Sequence, residues 1–268
     1  MSDLEDRLKN LYDRDFLSHD FRGMHFNEYT GLNAGETLRF GGYPYVGSMY
    51  ETSRLKILFV GLDIGKDELW IDKADNTYHK FDSRRKSISK TSFTNVPNSQ
   101  KKYHPYNPHI AGTYALSLAL LNELHGWQSS WNLLSTESSK ICWKSIQEKK
   151  GDLPTEVLDY VSLVNIHKFV NFDRKRRSGN ANRKWLDRNF EIQFLIKEIA
   201  IFAPDIIVFQ GCSHALTSEQ RKSLAANGVL IISGRHPSSW RKNKEGIAYN
   251  SIGYAKSLSE EALLKLSQ

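Results

Sequence analysis

Three short polar stretches follow apolar runs in this 268-residue chain. The first, "SGRHPSSW", Ser233 to Trp240, comes directly after "GVLIIS" and sets His236, Pro237, Ser238, Ser239 and Trp240 between the cations Arg235 and Arg241. An imidazole, two hydroxyls and several backbone amides in one turn are hydrogen-bond donors, which suits an anionic group. The second, "GLDIG", puts Asp63 after "LKILFV", and the third, "LVNIHKF", puts Asn165 and Lys168 at the close of another apolar run. Singly, each has an ordinary explanation: Asp caps helices, a loop His bonds backbone, and Asn can end a strand. "GLDIG" is neither G-x-G-x-x-G nor a P-loop, so no nucleotide fingerprint applies. His104 and His109 in "HPYNPH" are metal-ligand types, but no further ligand set has a recognisable spacing, and no metal is expected.

The elements that must position these residues are legible from periodicity. "LKILFVG", "VSLVNI", "DIIVFQG" and "VLIIS" are continuous apolar runs that predict four buried strands. Leu4, Leu8 and Leu11 predict a helix over residues 3 to 12. Further helices are expected in "IAGTYALSLALLNELHG", ended by Gly126, in "NFEIQFLIKEIAIFAP", and in "TSEQRKSLAANG", with a Thr217 to Gln220 capping box and a closing Gly228. "SLSEEALLKL" predicts a terminal helix. Strands alternating with helices imply a three-layer α/β/α fold on a central, mainly parallel four-stranded sheet. In such sheets sites form beyond the carboxyl ends of the strands, where all three polar stretches fall. One domain over 1–268 is expected, with an N-terminal extension over 1–50, a Gly- and Tyr-rich connector, "YTGLNAGETLRFGGYPYVGSMYE", before the first strand, and a long insertion over 66–110.

Charge points to a partner. Lys+Arg 37 against Asp+Glu 30 gives a net +7, which suits a polyanion. Basic clusters "HKFDSRRK", "NFDRKRRSGNANRKW" and "WRKNK" lie beside the three stretches in sequence. Two cysteines, Cys142 and Cys212, exclude a disulfide framework, a four-thiolate zinc site and an iron–sulfur cluster of their own. The N-terminus is acidic and amphipathic, unlike a signal peptide, and no apolar run nears the roughly 20 residues that span a bilayer. A cytoplasmic protein with no membrane contact is expected.

Together and in this order, "GLDIG", "LVNIHKF" and "RHPSS" resemble the motifs of the uracil-DNA glycosylase superfamily, over about residues 54–243. The H-P-S loop after its strand is the most specific part. The resemblance implies that Asp63 orients water and stabilises a cationic sugar, that His236 donates a hydrogen bond to the departing pyrimidine, and that Asn165 reads the base edge. It implies DNA contacts from Arg235, Ser238, Ser239 and Trp240, and the adjoining cations Lys168, Arg174, Lys175, Arg176 and Arg177 are expected on phosphates. Trp240 is either a wedge that fills the gap of the flipped base or a ring that packs its own loop. Ile64 and Gly65 stand where the uracil enzymes have Pro-Tyr, which opens the choice of substrate.

The function so implied is a monofunctional DNA glycosylase that needs no cofactor, acts as a monomer on a flipped base in double- or single-stranded DNA, and leaves an abasic site. Its candidate substrates are uracil and, since some superfamily members look adapted to phage defence, a bulky 5-modified cytosine such as the glucosylated hydroxymethylcytosine of phage DNA. The insertion carries Trp70, Tyr78, Phe81, Phe93, Tyr103 and Tyr106, more aromatic wall than a compact uracil pocket requires. Two readings of other classes stand beside it: a catalytically silent DNA-binding module of the same fold, and an unrelated nucleotide hydrolase using Asp63 with a metal.

Overall fold

The protein is described by a computed structural model, which covers residues 2–16, 18–19, 37–40, 43–62, 108–135, 153–172, 187–237 and 251–266. Its frame is an α/β fold. Five strands, β2 (Tyr45–Val46), β3 (Ile57–Gly61), β4 (Val161–Asn165), β6 (Ile206–Gln210) and β7 (Leu230–Gly234), bond in the order β2-β4-β3-β6-β7. The sheet is mixed, mainly parallel, and flanked by helices. A separate antiparallel pair joins β1 (Thr37–Phe40) to β5 (Phe169–Phe172), with Thr37 opposite Phe172.

All four expected strands are present, and among the described residues the sheet has five strands rather than four. The addition, β2, is two residues long, too short for any hydrophobic period to register, and it lies in the Gly- and Tyr-rich connector. Gly47 just after it shows how close the chain passes: a Cβ there would lie 2.3 Å from the Asp159 carbonyl oxygen, and its N–H donates to Val161 O at 3.0 Å. Ile57 to Val60 in β3 and Ile206 to Phe209 in β6 are fully buried, as continuous apolar runs covered on both faces should be. β7 pairs with β6 in parallel, Ile206 opposite Leu230 and Gln210 opposite Gly234.

The helices are α1 (Asp3–Leu11), α2 (Pro108–His125), α3 (Gln128–Ser135), α4 (Arg188–Phe202), α5 (Ser218–Ala226) and α6 (Ser251–Leu266). Ser2 and Glu5 close a capping box on α1, which buries Leu4, Leu8 and Leu11 and runs on into a π turn, Tyr12–Phe16. Thr217 and Gln220 close the expected box on α5, and Gly126 and Gly228 adopt φ of +70° and +79° after α2 and α5. α3 had no signal in the sequence, and α6 starts before the expected "SLSEEALLKL" run. Residues 66–107 of the expected insertion lie outside the described residues, and its last three residues begin α2.

The chain divides into two compact units, one of Met1–Val46, Val60–Ser87 and Leu163–Ala203, the other of Gly47–Phe59, Ile88–Ser162 and Pro204–Gln268. In the first, the π turn packs on α4, with the Tyr12 and Phe16 rings 4.8 and 5.1 Å from Phe194. In the second, α6 packs on α2 and β7. Among the described residues no helix is long and apolar enough to cross a membrane.

Candidate functional site

Within the first unit, Asn165 is the last residue of β4 and is half-buried. Its exit from the sheet is registered on the exit of β3 by two amides: Ile166 N–H donates to Gly61 O and His167 N–H to Leu62 O, both at 2.9 Å. The second bond ends one residue before Asp63, which itself lies outside the described residues.

Under this exit lies a buried polar network supplied by α4 and the N-terminal segment. Glu191 is 1% exposed; its Oε2 accepts from His167 Nδ1 at 2.8 Å and its Oε1 from the Lys168 amide at 3.4 Å. The Lys168 ammonium donates both to the Asn165 carbonyl and to Glu198 Oε2, while the Tyr12 hydroxyl donates to Glu198 Oε1 at 2.6 Å. The same ammonium sits 5.7 Å from the Phe194 ring centre and 6.0 Å from that of Tyr12, within cation–π range. Burial pushes the Glu198 carboxyl above the ordinary carboxylate range, and Lys168 and Tyr12 pull it back. A fully buried carboxylate is retained only when paired and hydrogen-bonded, and Glu198 has both kinds of partner.

This corrects one expectation. Lys168, read as a DNA-facing cation, is 2% exposed with its charge spent on Glu198 inside the protein. A lysine just past a strand end reads as surface in sequence because its partner is 30 residues away.

Within the second unit, the His-Pro turn follows β7. Arg235 is exposed, His236 half-buried and Pro237 buried. The backbone of the turn is fitted against glycines. Gly211, after β6, has φ +80° and donates its N–H to Gly234 O at 2.8 Å; a Cβ on it would lie 2.9 Å from the His236 nitrogen. Both space and the left-handed φ therefore require glycine, and an alanine would cost about 1–2 kcal/mol for the conformation alone. Gly112 on α2 leaves room for Pro237, whose Cβ would be 2.5 Å from an added Cβ. Gly234 does the same for Leu258 and Tyr254 of α6, at 2.5 and 3.0 Å. Beneath the turn, the buried Gln210 amide donates to Thr113 Oγ1 at 2.8 Å, which fixes the end of β6 to α2.

Chemically, this gives a half-buried imidazole on a braced backbone beside an exposed guanidinium, a donor arrangement that needs little reorganisation to meet a negatively charged oxygen. Ser238, Ser239, Trp240, Arg174, Lys175, Arg176 and Arg177 lie outside the described residues. Among the described residues no three His, Cys, Asp or Glu side chains cluster as metal ligands would, and Cys212 is a buried free thiol.

Glu191 and Glu198 do not stand out among the sequence motifs. The signal lies in "NFEIQFLIKEIAIFAP", where the two carboxylates stand seven apart, on one face of the helix among apolar residues, and such a pair requires buried partners. Gln210 closing "DIIVFQ" gives a weaker signal of the same kind. No protein-family model matches the chain, and no curated protein matches it either.

Proposed function

We propose that the chain is a monofunctional DNA glycosylase, related in fold and motifs to the uracil-DNA glycosylase superfamily, that hydrolyses the N-glycosidic bond of an aberrant or modified pyrimidine. The observation that carries the reading is that "GLDIG", "LVNIHKF" and "RHPSS" each continue from the carboxyl end of a strand, β3, β4 and β7, of a mainly parallel α/β sheet. Ligands of open α/β sheets bind beyond those ends.

In this reading the base is drawn out of the stack and its edge meets the Asn165 amide, which offers a donor and an acceptor together. As the glycosidic bond breaks, positive charge grows on the sugar and negative charge on the pyrimidine. The Asp63 carboxylate stabilises the first and directs water to the sugar carbon; His236 donates a hydrogen bond to the second. Arg235, Ser238 and Ser239 hold phosphates, and the net charge of +7 favours DNA at long range. No step requires a cofactor. The aromatic residues of the 66–110 stretch suit a bulky base, so a glucosylated 5-hydroxymethylcytosine is the preferred substrate and uracil the competing one.

The test uses matched oligonucleotides, single- and double-stranded, that carry uracil, 5-hydroxymethylcytosine or its glucosylated form, followed by alkaline cleavage at abasic sites. Strand breaks at the glucosylated base are expected. Rapid release of uracil alone would overturn the bulky-base preference, and tight DNA binding with no excision of any base would replace the enzyme by a silent binding module.

A further inference from the structure

The network under the β4 exit has a consequence for Asn165. Lys168 bonds both to Asn165, through its carbonyl, and to α4, through Glu198. Tyr12 fixes the other oxygen of Glu198 from the N-terminal segment, and Glu191 holds the following two residues by the His167 ring and the Lys168 amide. Every donor and acceptor here belongs to a residue less than a tenth exposed, apart from Asn165 itself. The segment leaving β4 is thus gripped on its inner side by two carboxylates of one helix, while Asn165 itself remains half-exposed.

We propose that Lys168, set by Glu198 and Tyr12, is a positioning residue that fixes the backbone of Asn165 and so the direction of its base-reading amide. The inference rests on the glycosylase reading for its activity, but not for its structural content. Nothing about folding alone requires a charged network at this point, because a buried ion pair is commonly replaced by apolar side chains of similar volume without loss of stability. What an apolar replacement cannot supply is the ammonium proton on the Asn165 carbonyl. A reacting group displaced by about 1 Å can cost on the order of a hundredfold in rate.

The decisive variant is therefore the apolar triple Tyr12→Phe, Lys168→Met, Glu198→Leu, made in the full chain, which removes both charges and the hydroxyl of this network together. Its thermal midpoint should match or exceed that of the wild type. Single-turnover excision from the better of the uracil and glucosylated-cytosine oligonucleotides should fall by at least about tenfold, with the Kd for that DNA within about twofold. Hydrogen exchange at the Ile166 and His167 amides, which bond across to Gly61 and Leu62, should accelerate relative to amides of β6. If the triple variant does not fold, Lys168→Met with Glu198→Gln keeps an acceptor for Tyr12 and removes the same proton. A stable variant with wild-type excision and unchanged exchange at both amides would overturn the proposal. Should the wild type excise neither base, the glycosylase reading fails by itself, and exchange alone then decides: unchanged protection of Ile166 and His167 overturns the positioning role, and faster exchange upholds it.

Discussion

The backbone of His236 is seated by what neighbouring residues lack. Gly211, Gly112 and Gly234 leave out the Cβ atoms that would strike His236, Pro237 and the α6 side chains, so the turn seats directly on backbone. A donor placed this way meets a developing charge without first reorganising, which is where electrostatic stabilisation gains most. In the proposed reaction, Asp63→Asn and His236→Ala should each slow single-turnover excision by about a hundredfold or more while DNA affinity changes little. Excision near the wild-type rate by either variant, measured at saturating protein, would remove that residue from the chemical step. Lys168 illustrates the opposite situation, a charge whose surroundings define its role: with Glu198 and Tyr12 as partners it serves the interior.

At the scale of elements, α4 does two things at once. Its apolar face, with Ile192, Phe194, Leu195, Ile199 and Phe202, is buried as a core helix's should be, and Glu191 and Glu198 are carried inward with it. The two carboxylates are acceptable there only because the β4 exit brings His167 and Lys168 to meet them. Beyond β5 the chain enters "RKRR", Arg174 to Arg177, which with Lys168 turned inward becomes the nearest cationic run to follow the Asn165 motif in sequence. Neutralising Arg174, Lys175, Arg176 and Arg177 together should weaken binding to every DNA sequence alike. It should also flatten the dependence of log K on log salt by roughly 0.9 for each phosphate no longer neutralised. Fluorescence anisotropy across a salt series reads the slope, and an unaltered slope would make this run a solvated loop.

At the scale of the whole molecule, long-range ties join the N-terminal segment to α4. Asp15 accepts from Arg14 and from Lys197, and these hydrogen bonds hold its carboxyl down to about 2 from the ordinary 3.8. A depressed carboxylate pKa stabilises the fold above the unfolded value, and that stabilisation is lost as pH falls through the folded one. The window is therefore from about 4 down to about 2. The gain is modest, because both cations are exposed. Urea midpoints of the wild type and of Asp15→Asn should differ at about pH 5, favouring the wild type, and converge as pH approaches about 2. A difference that persists unchanged to the lowest pH would assign the effect to something other than the charge.

By itself the sequence determined the features whose physics is local. Apolar runs specified β3, β4, β6 and β7; Ser, Thr and their partners three residues on capped α1 and α5; Gly126 and Gly228 ended helices where a left-handed residue is required. The placement of Asn165 at the end of β4 and His236 just past β7 followed from those runs. Tertiary structure alone decided the two-residue β2, the pairing of β1 with β5, the fit of the His-Pro turn against Gly211 and Gly112, and the inward turn of Lys168. In each of these the deciding partner is remote: Thr37 pairs with Phe172, Pro237 seats against Gly112, and Lys168 meets Glu198 across 30 residues. Periodicity and capping carry no information over such separations, because a side chain's environment, and with it the choice between surface cation and buried ion pair, exists only once the chain has folded around it.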